Sequence, residues 1–138
     1  TNWFSTIYGT SVQAQYADLA EVYASDAVYA PGTVLVFGGD AEVTLSTRAN
    51  DRRVAGVVTT HPAYLMNAHA QGSAIALQGR VPCQVTGEVK LGDMMVTSDI
   101  PGVAMASAEP KLGSVIGKAL AAHSGHDVGV IEVAVGRL

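Results

Sequence analysis

The sequence predicts a mainly β fold: a compact β-barrel-like or β-sandwich head of short strands, with one or two short helical turns and an extended amino-terminal segment. Three observations carry that expectation. Gly and Pro punctuate the 138 residues at intervals of roughly 8 to 15, which suits many short strands joined by turns. Val, Ile, Thr and Tyr fill the intervals, as a pleated, half-buried surface prefers. No apolar run of helical period extends beyond about two or three turns.

The elements follow in order. Residues 1–15 hold Trp3, Phe4, Ile7 and Tyr8 among Ser, Thr, Asn and Gln, four large apolar groups that need a surface to pack on. That surface is either another chain or the sheet of the same monomer. Residues 16–138 read as a β-rich head with strands expected at 19–23, 33–37, 42–46, 54–59, 74–77, 81–85, 94–97, 103–106 and 128–135. Gly38-Gly39-Asp40 reads as the tip of a hairpin and Leu91-Gly92-Asp93 as a second turn, since Gly permits positive φ and Asp bonds its own neighbouring backbone. Pro62-Ala-Tyr-Leu-Met-Asn and residues 114–121 are the two places where helical turns are expected. The last run, Val128-Gly-Val-Ile-Glu-Val-Ala-Val, is apolar on both faces, so it is expected to lie centrally or beneath a neighbouring subunit.

Composition bounds the class. One domain is expected at this length, large enough for a core and still gaining from oligomerisation. Hydrophobic residues make up 49% and charged residues 14%, against a usual quarter or so for the latter, which points to surface hidden between subunits. The net charge of −4 with scattered Lys and Arg speaks against a nucleic-acid footprint. No apolar run reaches the roughly 18 residues of a membrane span, and Thr1 does not open a signal peptide. Starting on Thr rather than Met, the chain reads as a fragment, trimmed or released by cleavage. Cys83 is the only cysteine, which excludes an intrachain disulfide and a Cys-based zinc site and predicts a buried thiol.

The densest signal for chemistry is Gln15-Tyr-Ala-Asp-Leu-Ala-Glu-Val-Tyr, which sets Asp18 and Glu21 in an apolar, small-residue stretch. Either carboxylate buried without a partner would cost several kcal/mol or be driven toward its neutral form. Spaced three apart, they share a face on a helix and take opposite faces on a strand. Chemistry or assembly would account for them, and residue types do not choose between the two. Arg48, Arg52 and Arg53 with Asp51 form the densest charge group, a solvated loop or, in a symmetric oligomer, an interface that pairs with Asp18, Glu21 or Glu42 of a neighbour. His123-Ser-Gly-His126 with Asp127 lies in a Gly-rich loop, and no metal is assigned to it. His61 and His69 flank the Tyr64-Leu-Met-Asn stretch, without a Gly-x-Ser-x-Gly elbow to make a triad. Nucleotide-binding Gly patterns are missing, and no cofactor is expected.

Several blocks taken as a set resemble the carboxy-terminal head domain of tailed-bacteriophage fibre proteins. They are Tyr16-Ala-Asp-Leu-Ala-Glu-Val-Tyr, Tyr29-Ala-Pro-Gly-Thr-Val-Leu-Val-Phe-Gly-Gly, Val54-Ala-Gly-Val-Val-Thr-Thr-His-Pro-Ala-Tyr-Leu-Met-Asn, Leu77-Gln-Gly-Arg-Val-Pro-Cys-Gln-Val-Thr-Gly, Gly92-Asp-Met-Met-Val-Thr-Ser and Ile116-Gly-Lys-Ala-Leu. The Ala-Asp-x-Ala-Glu core is also similar to the start of the self-cleaving intramolecular-chaperone domain of phage neck appendages and endosialidase tailspikes. The first resemblance implies a virion structural module assembled in the host cytoplasm: a homotrimer that caps a fibre shaft and touches other virion tail or fibre proteins, with a host cell-surface receptor as a further partner. On that reading residues 1–15 are the end of the shaft or a connector, and Trp3, Phe4, Ile7, Tyr8, Arg52 and Arg53 are interface residues. The second resemblance implies a peptidase that acts once on its own chain, with Asp18 and Glu21 as its acidic pair. The chain lacks the long helical segments that usually follow in such chaperones and ends instead in strand-like Val-Ile-Glu-Val-Ala-Val-Gly-Arg-Leu.

Overall fold

The computed structural model describes residues 18–136, and within them every regular element is a strand. In chain order these are β1 (Asp18–Tyr23), β2 (Val34–Phe37), β3 (Val43–Leu45), β4 (Val54–Val58), β5 (Tyr64–Met66), β6 (Ser73–Val85), β7 (Met94–Thr97), β8 (Ala104–Ala106), β9 (Gly117–Ala119) and β10 (Gly129–Val135). The hydrogen-bonded order is β10-β9-β7-β8-β6-β4-β2-β3, and β10 pairs a second time with β6. That extra pairing closes β6, β10, β9, β7 and β8 into a five-stranded barrel with no free edge between its first and last strand. The mainly β, barrel-like expectation is therefore correct.

β6 is the spine. Its 13 residues serve two neighbourhoods. The first half carries β1 antiparallel from Asp18↔Gly79 to Tyr23↔Ser73, with β4 pairing at Val57↔Ala76 and Val58↔Ile75. The second half carries β10 antiparallel, from Val135↔Gly79 to Gly129↔Val85. Gly79 sits where the strand passes from one neighbourhood to the other, with φ +119, a value that L side chains rarely adopt. Pro82 has no N–H to give, and it stands opposite Glu132 of β10 in the ladder. Gly79 and Pro82 are why the sequence reads as two strands, 74–77 and 81–85, where the structure has one.

Alternation then sorts the residues. In β6 the side chains of Val81, Cys83 and Val85 turn into the barrel while Arg80, Pro82 and Gln84 turn out. With Met95, Ile116, Ile131, Val133 and Val135 they form the barrel core. A second, smaller core of Leu35, Val43, Ala55, Val58 and Ile75 lies under β1 to β4. There Tyr23 and Phe37 meet edge to face, centroids 5.3 Å apart. β10 is flanked by β9 and β6, so its apolar run is central as expected, although Val130 remains 63% exposed.

The two expected helical turns are corrected. Residues 62–67 contain β5, which lies parallel to β1 from Leu19↔Tyr64 to Glu21↔Met66. Residues 114–121 contain β9, held between β7 and β10. A helix of two turns closes few hydrogen bonds for its nucleation cost, whereas three residues slotted between existing strands gain ladder bonds at once. The hairpin tip is as expected: Gly38 and Gly39 take positive φ, and Gly38 N donates to Glu42 O at 3.0 Å. The turn before β7 is also as expected, with Lys90 N donating to Asp93 Oδ2 at 2.9 Å. Residues 1–15, with Trp3, Phe4, Ile7 and Tyr8, lie outside the described residues.

Gly117 marks the tightest approach in the barrel wall. A Cβ placed there would stand 2.1 Å from the carbonyl oxygen of Ala134 in β10. Gly117→Ala is expected to push β9 from β10 and lower stability by about 1 to 3 kcal/mol. Gly136→Ala, where an added Cβ meets nothing within 4 Å, is expected to be near neutral. Urea unfolding of both variants checks this, and equal midpoints would refute the close-approach argument.

Candidate functional site

Asp18 opens β1 on the buried face of the strand. The strand alternates, with Asp18, Ala20 and Val22 turned in and Leu19, Glu21 and Tyr23 only partly covered. Asp18 is only 3% exposed. Thr59, just beyond β4, donates a side-chain hydrogen bond to it, and burial holds the carboxyl above its ordinary range, with Thr59 acting in the opposite sense. Oδ2 of Asp18 has no hydrogen-bond partner among the described residues. That is an acid biased toward its protonated form.

Asp18 lines a cleft of about 270 Å³ whose other walls come from residues far apart in sequence: Gly32, Thr59, His61, Arg80 and Glu132 among them. The tertiary fold alone gathers these. His61 Nδ1 lies 3.0 Å from Thr60 Oγ1. Arg80 Nη1 donates to Glu132 Oε1 at 2.8 Å across the β6–β10 ladder, forming a fixed ion pair on the cleft rim. The cleft therefore offers one buried carboxyl, one imidazole, two hydroxyls and a paired guanidinium. Such a set can donate a proton, accept one, or bind a polar backbone group.

Glu21, the expected partner of Asp18, is not in the cleft. Three positions along a strand put it on the opposite face, where Tyr23 donates its hydroxyl to Glu21 Oε1 at 3.2 Å. A one-residue register shift between β1 and β6 falls at Leu19/Ala20, yet burial keeps alternating through it. Within one chain the two carboxylates do not converge. Glu21 is also the shallower of the two, partly covered where Asp18 is buried. Thr59, Arg80 and Glu132 were missed by sequence reasoning. Their only linear signal is that Arg80 and Glu132 fall on outward positions of two strands, and nothing in the sequence says that those strands pair.

The other candidates have structural explanations. Arg53 forks onto Asp51 through Nε at 3.2 Å and Nη2 at 3.1 Å, while its backbone N reaches Asp51 Oδ1 at 2.9 Å. Those bonds hold the Asp51 carboxyl below its ordinary range. Arg53 thus finds its carboxylate inside its own chain. Arg52 is exposed on the same loop. His123 Nδ1 lies 2.8 Å from Gly87 O, and Glu88 accepts bonds from Ser124 Oγ and Gly125 N, which pins the Gly-rich loop to the neighbouring turn. Among the described residues no group of three or more His, Cys, Asp or Glu is placed to hold a metal. Cys83 is fully buried, and burial pushes its thiol up to about 12, which makes it inert near neutral pH. Ser114 Oγ donates to Lys111 O at 2.6 Å and closes a turn.

The Asp18 carboxyl yields a pH prediction. Its pKa is raised on folding, so its favourable contribution is complete below the ordinary value of 3.8 and is lost as pH rises through the raised value. Asp18→Asn keeps the shape without the charge. The variant is expected to melt above wild type near pH 8, with the gap closing toward pH 4, in thermal scans at several pH values. A variant that is less stable than wild type at pH 8 would contradict the desolvated-acid account.

Comparison with protein-family models and with curated proteins returns no match for this chain, so the functional reading rests on the fold and on this cleft.

Proposed function

We propose that this chain is the β-rich head of a tailed-phage fibre or appendage: a homotrimeric structural module that caps a shaft and presents its outer surface to the host. The observation that carries this reading is the apolar surface that one copy leaves in water. Leu112 is 87% exposed, Leu91 71%, Tyr64 64% and Val130 63%, in a chain with only 14% charged residues. Obligate assemblies bury such side chains between subunits. A closed barrel suits the role, since its five strands have no free edge to template uncontrolled pairing between copies.

A second reading has its own support. In an autoproteolytic maturation domain, a carboxyl biased toward protonation and placed at the start of β1, where the upstream chain enters, would serve as the acid for one hydrolysis. Asp18 has that character: it lines the cleft, and its buried Oδ2 is unpartnered among the described residues. Glu21 faces away, so any acid–base pair between the two would span two copies.

Two measurements separate these readings. Light scattering of the purified chain is expected to give three chain masses, and a stable monomer would defeat the head proposal. A precursor extended upstream of Thr1 is expected to run as one uncleaved band on a denaturing gel, alike for wild type, Asp18→Asn and Glu21→Gln. Cleavage of wild type that is lost in Asp18→Asn, with melting retained, would establish the maturation reading instead.

A further inference from the structure

The loop between β3 and β4 concentrates charge beyond the Arg52 and Arg53 that the head reading places at an interface. Arg48, Arg52, Arg53 and Lys111 line one concavity of about 440 Å³, with Asp51 at its base. These four are half of the eight Lys and Arg residues of the chain, gathered in a protein whose net charge is −4. Among the lining residues four cations face one carboxylate, and a second carboxylate, Asp99, bonds the same loop through its backbone.

The loop is built to hold them there. Thr97 at the end of β7 accepts from Asp51 N at 2.8 Å and donates its own hydroxyl to Arg48 O at 2.7 Å. Asn50 N donates to Thr97 O at 3.1 Å, and Asp99 receives Ala49 N at 3.1 Å. Asp51 then fixes the Arg53 guanidinium by its fork, with the Arg48 guanidinium 4.0 Å from the same oxygen. Arg52 and Lys111 have no side-chain acceptor among the described residues. Like charges brought together without counter-charge repel, and a loop that only needed solubility would spread them or mix the signs.

We infer that this pocket binds a phosphate group, held by Arg48, Arg52 and Lys111 on a platform that Asp51 and Arg53 keep rigid. Two arginines supply forked donors that match phosphate oxygens, and the lysine supplies a compact charge. Arg52 and Lys111, without a side-chain acceptor among the described residues, together with Arg48, which shares Asp51 with Arg53, suit a group of two negative charges better than the single charge of a carboxylate. Free small phosphates and phosphate groups borne on a surface polymer share this chemistry.

The test is calorimetric titration of the 138-residue chain at low ionic strength, where such contacts are least screened. The probes are inorganic pyrophosphate and long-chain polyphosphate compared at equal phosphate. Arg52→Ala with Lys111→Ala removes two exposed side chains, so folding is expected to survive and is checked by melting. That variant is expected to bind pyrophosphate about tenfold or more weakly than wild type. Lys90→Ala with Lys118→Ala removes the same charge elsewhere and is expected to bind within about twofold of wild type. Tighter binding of the polymer assigns the site to a polymer-borne phosphate, and equal binding assigns it to a free one. No binding by wild type, equal weakening by both double variants, or a changed oligomeric mass in Arg52→Ala with Lys111→Ala at unchanged pyrophosphate affinity would each overturn the inference. The last outcome would place a neighbour's carboxylates in the pocket.

Discussion

The structure depends on one strand serving two sets of partners. β6 runs for 13 residues, and its second half must accept β10 for the barrel to close, while its first half must accept β1 and β4 for the smaller core to form. The positive φ of Gly79 lets the strand change neighbourhood without breaking, and Asp18 and Val135 both pair with that residue. Everything at the cleft follows. Asp18 is buried because β1 begins where β10 ends, and Arg80 reaches Glu132 because the β6–β10 register puts them on the same outer face. A slip of one residue in that register would exchange the barrel-facing Val81, Cys83 and Val85 for Arg80, Pro82 and Gln84.

Two carboxylates show opposite solutions to burial. Asp51, 8% exposed, is surrounded by donors: its oxygens receive the Arg53 fork and a backbone N–H, and its charged form is favoured. Asp18, 3% exposed, has the Thr59 hydroxyl and an oxygen unpartnered among the described residues, and burial holds its carboxyl above the ordinary range. The first arrangement stiffens a loop. The second leaves a group whose charge is costly where it stands, the kind of tension that binding or catalytic sites retain and purely structural positions tend to lose. The cleft and the cationic pocket thus differ in kind as well as in sign, one an acid in want of a donor and the other a set of donors in want of an acid.

The short strands were legible because their signals are local. β7 at 94–97 lies where residue types placed it, and β1, β2, β3, β4, β8 and β10 differ by one or two residues at their ends. Turn chemistry at Gly38-Gly39-Asp40 and Leu91-Gly92-Asp93 was equally local, since a glycine's freedom in φ and an aspartate's bond to nearby backbone need no distant partner. β5 and β9 were not legible. Three residues carry no period, and what makes them strands is the ladder that already stands beside them.

By itself the sequence determined a mainly β chain with a buried thiol, a final strand apolar on both faces and two carboxylates in an apolar run. It also determined that Asp18 and Glu21 part company if the run is a strand, because side chains alternate with a period of two. Only the tertiary structure decided which carboxylate is buried, that Thr59, His61, Arg80 and Glu132 join Asp18, and that Lys111 joins the arginines from about sixty positions away. The physical reason is that alternation is a property of one strand. Burial, an unpartnered oxygen and a concentration of charge are properties of which strands and loops meet, fixed here by long-range pairing onto β6 and by the hydrogen bonds that fasten the 46–53 loop to β7.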